Sequence, residues 1–273
     1  MSLGSIDHLV GDAASGSRPR VAVSSCLLGI NVRYDGGHRR DRFLTEVLGP
    51  YVEWVRVCPE VEIGLGTPRP PIDLHATGDP RRPRLLQGDR DLTDRMRSFA
   101  AGRIRELRAR EIDGYVLKAR SPSCGLRHAR LVGQDGVVER AGTGIFAQAL
   151  KETWPELPMF DETDLDVPHV AVARTEWIFV MHRFRTDVAS GPQLGEFHRT
   201  RAARIAERDP GAIPELERIV AAAGSDPDGA ALSEASSEAS YEDGSRNSGS
   251  SRSEWIHQYA RRLSRAYSSI PAA

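Results

Sequence analysis

The stretch Gly114–Gly125, GYVLKARSPSCG, constrains this chain most, because it sets a cysteine in a tight polar turn directly after a buried apolar strand. Tyr115, Val116 and Leu117 form the strand. Ser121, Pro122, Ser123 and Gly125 are turn residues, so the chain leaves the sheet there and presents Cys124. The same grammar occurs twice more, where VAVSSC ends a strand at Cys26 and WVRVCP ends one at Cys58. In an open parallel sheet such positions converge on the crevice beyond the carboxyl ends of the strands, where α/β proteins place ligands.

The flanking segments supply the rest of that sheet. Pro19–Cys26 is the first strand, followed by a loop with paired glycines. Phe43, Leu44, Val47 and Leu48 have helical spacing, and Gly49-Pro50 stops that helix. Val52–Cys58 is the second strand. The stretch PEVEIGLGTPRPPIDL after it carries four prolines and two glycines, which oppose regular helix and predict an extended loop beside Cys58. Arg84–Gln87 reads as a short strand, Met96, Phe99, Ile104 and Leu107 as one helix face, LVGQDGVVER as a hairpin, and Thr143–Lys151 as a helix. This alternation predicts an α/β fold: a mostly parallel sheet with flanking helices, a Rossmann-like three-layer sandwich, followed by a small all-α region.

Residues 1–18 read as a disordered leader, 19–160 as the sheet domain, 161–223 as a partial helical domain, 224–252 as a disordered Ser/Gly/Asp-rich linker and 253–273 as a terminal amphipathic helix. That last helix is expected to dock on the helical domain and not on a membrane. The net charge of -1 removes any global basicity, so contact with nucleic acid would need a local patch. One candidate patch is His182, Arg183, Arg185, His198, Arg199, Arg201 and Arg204, although the acidic residues between them are spaced for helix-surface salt bridges. Neither a signal peptide nor a membrane span is read, and a cytoplasmic protein is expected. There, three cysteines point to metal binding or catalysis before a disulfide framework.

Lacking a C-x-x-C pair, the cysteines fit a compact zinc site poorly. Three thiolates from three loops can hold three irons of a cubane and leave the fourth without a protein ligand, a Lewis acid with affinity for sulfur. Buried, inert cysteines are the structural alternative.

The blocks CLLGINVRYDGGHRRD, CPEVEIGLGTPRPP, LKARSPSCG and GTGIFAQAL, in that order over Pro19–Phe160, resemble the signature blocks of the thiouracil desulfidase family. The resemblance implies a [4Fe-4S] cluster on Cys26, Cys58 and Cys124. It also implies non-redox replacement of C=S by C=O in a thiolated uracil, such as 2-thiouracil, 4-thiouracil or 4-thiouridine, with release of sulfide. In that setting Glu60 suits proton exchange with water or a ring nitrogen and Ser121 a proton relay, whereas as ordinary loop residues they would cap a helix and a turn. Arg33, Tyr34, Asp35, Arg69 and Ser123 are candidates for substrate binding, with an Arg33–Asp35 loop brace as the alternative. Lys118 can point into the same crevice, while His38 and His128 read as surface residues. EWIFVMHRFR and LGEFHRTRAARIAERDPGAIPELERIVAAA resemble the first part of a helical domain fused to such enzymes and linked to desulfuration of 4-thiouridine in transfer RNA; the match stops near Ala223. Partners would then be a thiolated pyrimidine or nucleoside, or transfer RNA. The rival readings are an RNA-binding module with a structural cluster and no turnover, and a zinc-dependent hydrolase.

Overall fold

In a computed structural model, the described residues are 17–79, 82–188, 191–224 and 252–268. The expected leader and Ser-rich linker lie almost wholly outside them. The strands are β1 (Arg20–Ser24), β2 (Glu53–Val57), β3 (Asp73–His75), β4 (Arg84–Gln87), β5 (Arg90–Asp91), β6 (Gly114–Leu117), β7 (Ala129–Val132), β8 (Val138–Gly142) and β9 (Met159–Asp161). The helices are α1 (Pro59–Glu62), α2 (Thr93–Ala109), α3 (Ile145–Thr153), α4 (Pro168–Asp187), α5 (Gly191–Arg208), α6 (Ile213–Gly224) and α7 (Arg252–Ser268). The fold is α/β, as the alternating pattern requires.

A four-stranded sheet in the order β2-β1-β6-β9 is parallel throughout. Side chains on successive strand residues point to opposite faces. Ala22, Tyr115 and Leu117 therefore join Met96, Ile104 and Leu107 of α2 and Phe146 and Leu150 of α3 in one core. Val21, Val23 and Val116 join Leu44, Leu48, Phe160 and Ile178 in another. These are the three layers. Because the chain runs from β1 to β2 on one side and later to β6 on the other, the crevice between β1 and β6 is the topological switch point.

A second sheet, β5-β4-β3-β7-β8, is mostly antiparallel; it contains the expected strand Arg84–Gln87 and the expected hairpin, as β7 and β8, but their union in one sheet with β3 and β5 is not foreshadowed by the sequence patterns. It is assembled from insertions in two crossovers of the first sheet, joined by the parallel pair β3–β7. The proline-rich stretch also departs from expectation, since Pro59–Glu62 forms one helical turn. Pro59 stands at its first position, where a missing N–H costs nothing and the fixed φ suits the helix. Phe43–Leu48, read as an ordinary helix, is wound as a π-helix.

The described residues fall into two compact units, one up to Phe179 and the other from Val180. Within the second, Phe184 stacks on Tyr259 at 5.3 Å between centroids, and Phe197 meets both rings edge-on. Trp255, Tyr259, Leu263 and Tyr267 of α7 are buried there, and Arg262 pairs with Asp209 (2.9 Å) and Glu215 (2.7 Å). The last helix thus packs on its helical neighbours. No helix among the described residues is long and apolar enough to cross a membrane.

Candidate active site

The three cysteines follow three adjacent parallel strands, β2, β1 and β6, so their loops rise from neighbouring positions along one sheet end. Cys26 lies in a 3-10 turn, Ser25–Leu28, closed by Gly29 at φ +86°, a left-handed conformation in which glycine carries no Cβ penalty. The Cys26 carbonyl accepts from the backbone N–H of Gly29 (3.2 Å) and of Arg39 (2.9 Å), which folds the intervening loop back over the thiol. Cys58 caps α1. Cys124 sits in a turn held by α3, whose first N–H groups, at Ile145 and Phe146, reach the carbonyls of Pro122 (3.2 Å) and Ser123 (2.9 Å).

That clamp leaves no room for a side chain at Gly144. A Cβ there would stand 2.4 Å from the Ser123 carbonyl carbon and oxygen, which are backbone atoms with no rotamer to change. Gly144→Ala is therefore expected to cost about 3 kcal/mol, the upper part of the usual overpacking range, read as a lowered thermal midpoint of the metal-free protein. An unchanged midpoint would show that the clamp yields.

All three cysteines are free thiols and line one cavity of about 450 Å³. Cys26 and Cys124 are buried, and Cys58 is half-buried. Burial, followed by the neighbouring Cys124, pushes the Cys26 thiol up to about 12, with the Lys118 ammonium acting the other way. Burial also raises Cys58 to about 11, against a hydrogen bond from the Val61 N–H. Cys124 is raised by burial and drawn back by the hydroxyls of Ser121 and Ser24. Without a metal the thiols hold their protons at neutral pH, and a metal must displace them to bind.

The same cavity is lined by Glu60, Arg69, Ser121, Arg33 and Tyr34. Glu60 Oε1 accepts from the Ser123 hydroxyl at 2.9 Å, and Oε2 accepts from Arg69 through Nε (3.0 Å) and Nη2. The Arg69 side chain is only 3% exposed, and its Nη1 donates to the carbonyls of Val32 (2.9 Å) and Gly66 (2.8 Å). Its donors are thus turned to the protein, as a brace for Glu60. Ser121 Oγ accepts from the backbone N–H groups of Ser123 and Cys124, both at 3.2 Å, leaving its own proton to be given elsewhere.

Ser123 and Asp35 are not among the cavity-lining residues. Ser123 is fully buried behind Glu60. Asp35 pairs with Arg33 at 3.3 Å, and the Gly37 N–H, then Arg33, hold its carboxyl below the usual range. The loop-bracing pair weighed as an alternative is therefore formed, while the exposed Tyr34 ring stays beside the cavity under the Arg33 guanidinium.

Sequence reasoning missed three cations on the cavity wall, Arg39, Arg120 and Arg140, none of which makes an ion pair with a carboxylate among the described residues. Arg140 belongs to β8 and arrives only through the second sheet. Arg120 has φ +61°, a strained conformation for a residue with a side chain, costing on the order of 1 kcal/mol. Lys118 also lines the cavity and pairs with Glu162. The candidate patch in the helical segment is not gathered on one exposed face, since His182 and His198 are buried and Arg199 and Arg204 pair with Glu196 and Glu207.

A family model for 2-thiouracil desulfurase matches residues 21–162, the span that contains the whole cavity wall. The chain belongs to this family. A relative in Bacillus subtilis (strain 168), uncharacterized protein YbbK, is 31% identical over 114 residues, 38% of this chain and 72% of the relative. A solved structure of the [4Fe-4S]-dependent thiouracil desulfidase TudS is 32% identical, covers 57% of this chain and 97% of its own, and has a TM-score of 0.44.

The desulfurase cavity suits a multi-iron cluster by its donor chemistry. Among the described residues no three His, Cys, Asp or Glu side chains stand close enough as a group to hold a metal ion. Three thiols on one cavity are the donor type of an iron–sulfur cluster, in which each thiolate would take its own iron. Tyr115 lies behind this wall. Its hydroxyl is fully buried with no hydrogen-bond partner among the described residues, and Cys124 stands close enough to raise its pKa further after burial. A buried donor of this kind is costly unless an acceptor, such as a sulfide or thiolate, faces it.

Proposed function

We propose that this desulfurase removes sulfur from a thiolated uracil nucleotide by hydrolysis, C=S and water giving C=O and hydrogen sulfide, with a [4Fe-4S] cluster held by Cys26, Cys58 and Cys124. The observation that carries this reading is the meeting of three thiols and the Glu60 carboxylate on one cavity at the sheet's switch point. When bound, the cluster supplies a Lewis-acidic iron without a protein ligand, which favours a soft sulfur atom.

The chain's own residues do the rest. Glu60 Oε1, at the cavity wall, takes a proton from water or returns one to the ring nitrogen, while Arg69 and Ser123 fix its orientation. Ser121 Oγ, held by two N–H groups beside the Cys124 sulfur, lies on the cavity wall where its hydroxyl can relay a proton to the water. The exposed ring of Tyr34 offers a stacking face for the pyrimidine. Arg39, Arg120 and Arg140 provide charge-assisted donors for a phosphate, which a free base lacks.

Anaerobic reconstitution followed by sulfide-release assays tests this. The expected kcat/KM for 4-thiouridine monophosphate exceeds that for 4-thiouracil by about tenfold or more, from one or more charge-assisted bonds of roughly 1.5–3 kcal/mol. Arg120→Ala should erase most of that advantage. Equal rates on base and nucleotide would remove the phosphate, and no sulfide from 2-thiouracil, either 4-thio compound or thiolated transfer RNA would remove the activity.

A further inference from the structure

The ladder between β1 and β6 pairs Val21 with Gly114, Ala22 with Tyr115 and Val23 with Val116, and goes no further. At the next residue the strands part to open the crevice. Ser24 occupies that fork. It is buried at 3% exposure, and its Oγ accepts the Lys118 backbone N–H at 2.9 Å, replacing the next rung with a side-chain bond. With the oxygen so engaged from β6, the hydroxyl has one proton left to direct, and Cys124 Sγ stands 3.4 Å away. Both ends of the bond are nearly buried, Ser24 at 3% and Cys124 at 6% exposure.

Resting on the iron–sulfur reading above, we propose that Ser24 is a positioning residue: a fixed hydrogen-bond donor to the Cys124 sulfur that orients this ligand and stabilises the more reduced cluster. Hydrogen bonds to ligand sulfurs offset their negative charge and raise the reduction potential, and loss of such outer partners typically weakens metal binding by about 10–100-fold. Among the described residues neither Cys26 nor Cys58 has a side-chain hydroxyl bonded to its sulfur, whereas Cys124 has Ser24 at 3.4 Å and Ser121 beside it. The site of Ser24 at the fork also explains why the strand-ending serine pair, Ser24-Ser25, is split in role, since Ser25 already belongs to the turn that carries Cys26.

The test compares wild type, Ser24→Ala and Ser24→Thr as full-length chains after anaerobic reconstitution, reading the cluster's midpoint potential and the rate of iron loss to a chelator. Ser24→Ala should shift the potential to a more negative value and lose iron about tenfold faster, while Ser24→Thr, which keeps the hydroxyl, should return both toward wild type. Unchanged potential and iron loss in Ser24→Ala would overturn the assignment. If Ser24→Ala takes up no cluster, Ser24→Thr must take one up at the wild-type potential; failure of both would also overturn it. A wild-type chain that binds no iron would instead overturn the cluster itself, a result separable from either.

Discussion

Glu60→Gln is expected to lower kcat by about 10²–10⁴-fold, the usual contribution of a positioned proton-transfer group, while the iron–sulfur absorbance stays at the wild-type level. The choice of glutamine follows from the packing around the carboxylate. Arg69 is 3% exposed and Glu60 14%, so deleting the carboxylate outright would strand a buried guanidinium. Glu60→Ala should therefore add a destabilisation of about 3–5 kcal/mol to the kinetic defect, seen as a lower denaturation midpoint. Glutamine fills the same volume and keeps one acceptor, for the Ser123 hydroxyl or for Arg69, although its neutral amide no longer balances the Arg69 charge, so a smaller loss of stability than in the alanine variant is expected. A Glu60→Gln enzyme that turns over within threefold of wild type would exclude Oε1 as the site of proton transfer.

Cys124→Ser is expected to abolish both cluster uptake and desulfuration. Serine matches the thiol closely in size, and its neighbours, the Ser24 hydroxyl at 3.4 Å and the N–H donors to Ser121, can tolerate an oxygen. The metal-free fold should accordingly melt within about 1 kcal/mol of wild type, since the substitution opens no cavity. What changes is the donor: a buried hydroxyl does not ionise as a thiol does, and a soft ligand is lost. Iron analysis after anaerobic reconstitution reads the outcome directly. Four irons per chain with full sulfide release in Cys124→Ser would exclude this residue from the ligand set.

Three of the four strands of the parallel sheet were legible because they are short apolar runs ended by turn residues, each closing on a cysteine, and the structure places β2, β1 and β6 side by side; the three-residue β9 was not read. Of the second sheet, the strand Arg84–Gln87 and the β7–β8 hairpin were read, but β3, β5 and the joining of all five strands were not. Its strands are short, β5 has two residues and β8 is exposed along Val138–Ala141, so no hydrophobic alternation marks them and their pairing comes from tertiary contact. The same limit governs the site. The three cysteines stood out by residue type and position and Glu60 only beside the family blocks, and all four share one cavity. The direction of a guanidinium was not readable: Arg69, expected to reach for substrate, turns inward to brace Glu60, while Arg120 and Arg140 occupy the wall. Ser24 carried no signal because a serine at a strand end is common, and only the parting of two strands gives it a task.

The turn that follows β9 reaches back to the Cys124 loop at both of its ends. Before the cysteine, Glu162 binds Lys118 and accepts the Ala119 N–H at 2.6 Å; after it, Asp161 and Asp164 bind Arg127. All three cysteines lie upstream of this acidic hook, yet a fragment cut just short of it would leave the Cys124 loop untethered. A minimal working piece of this polypeptide must extend through Asp164, forty residues beyond the last cysteine along the sequence.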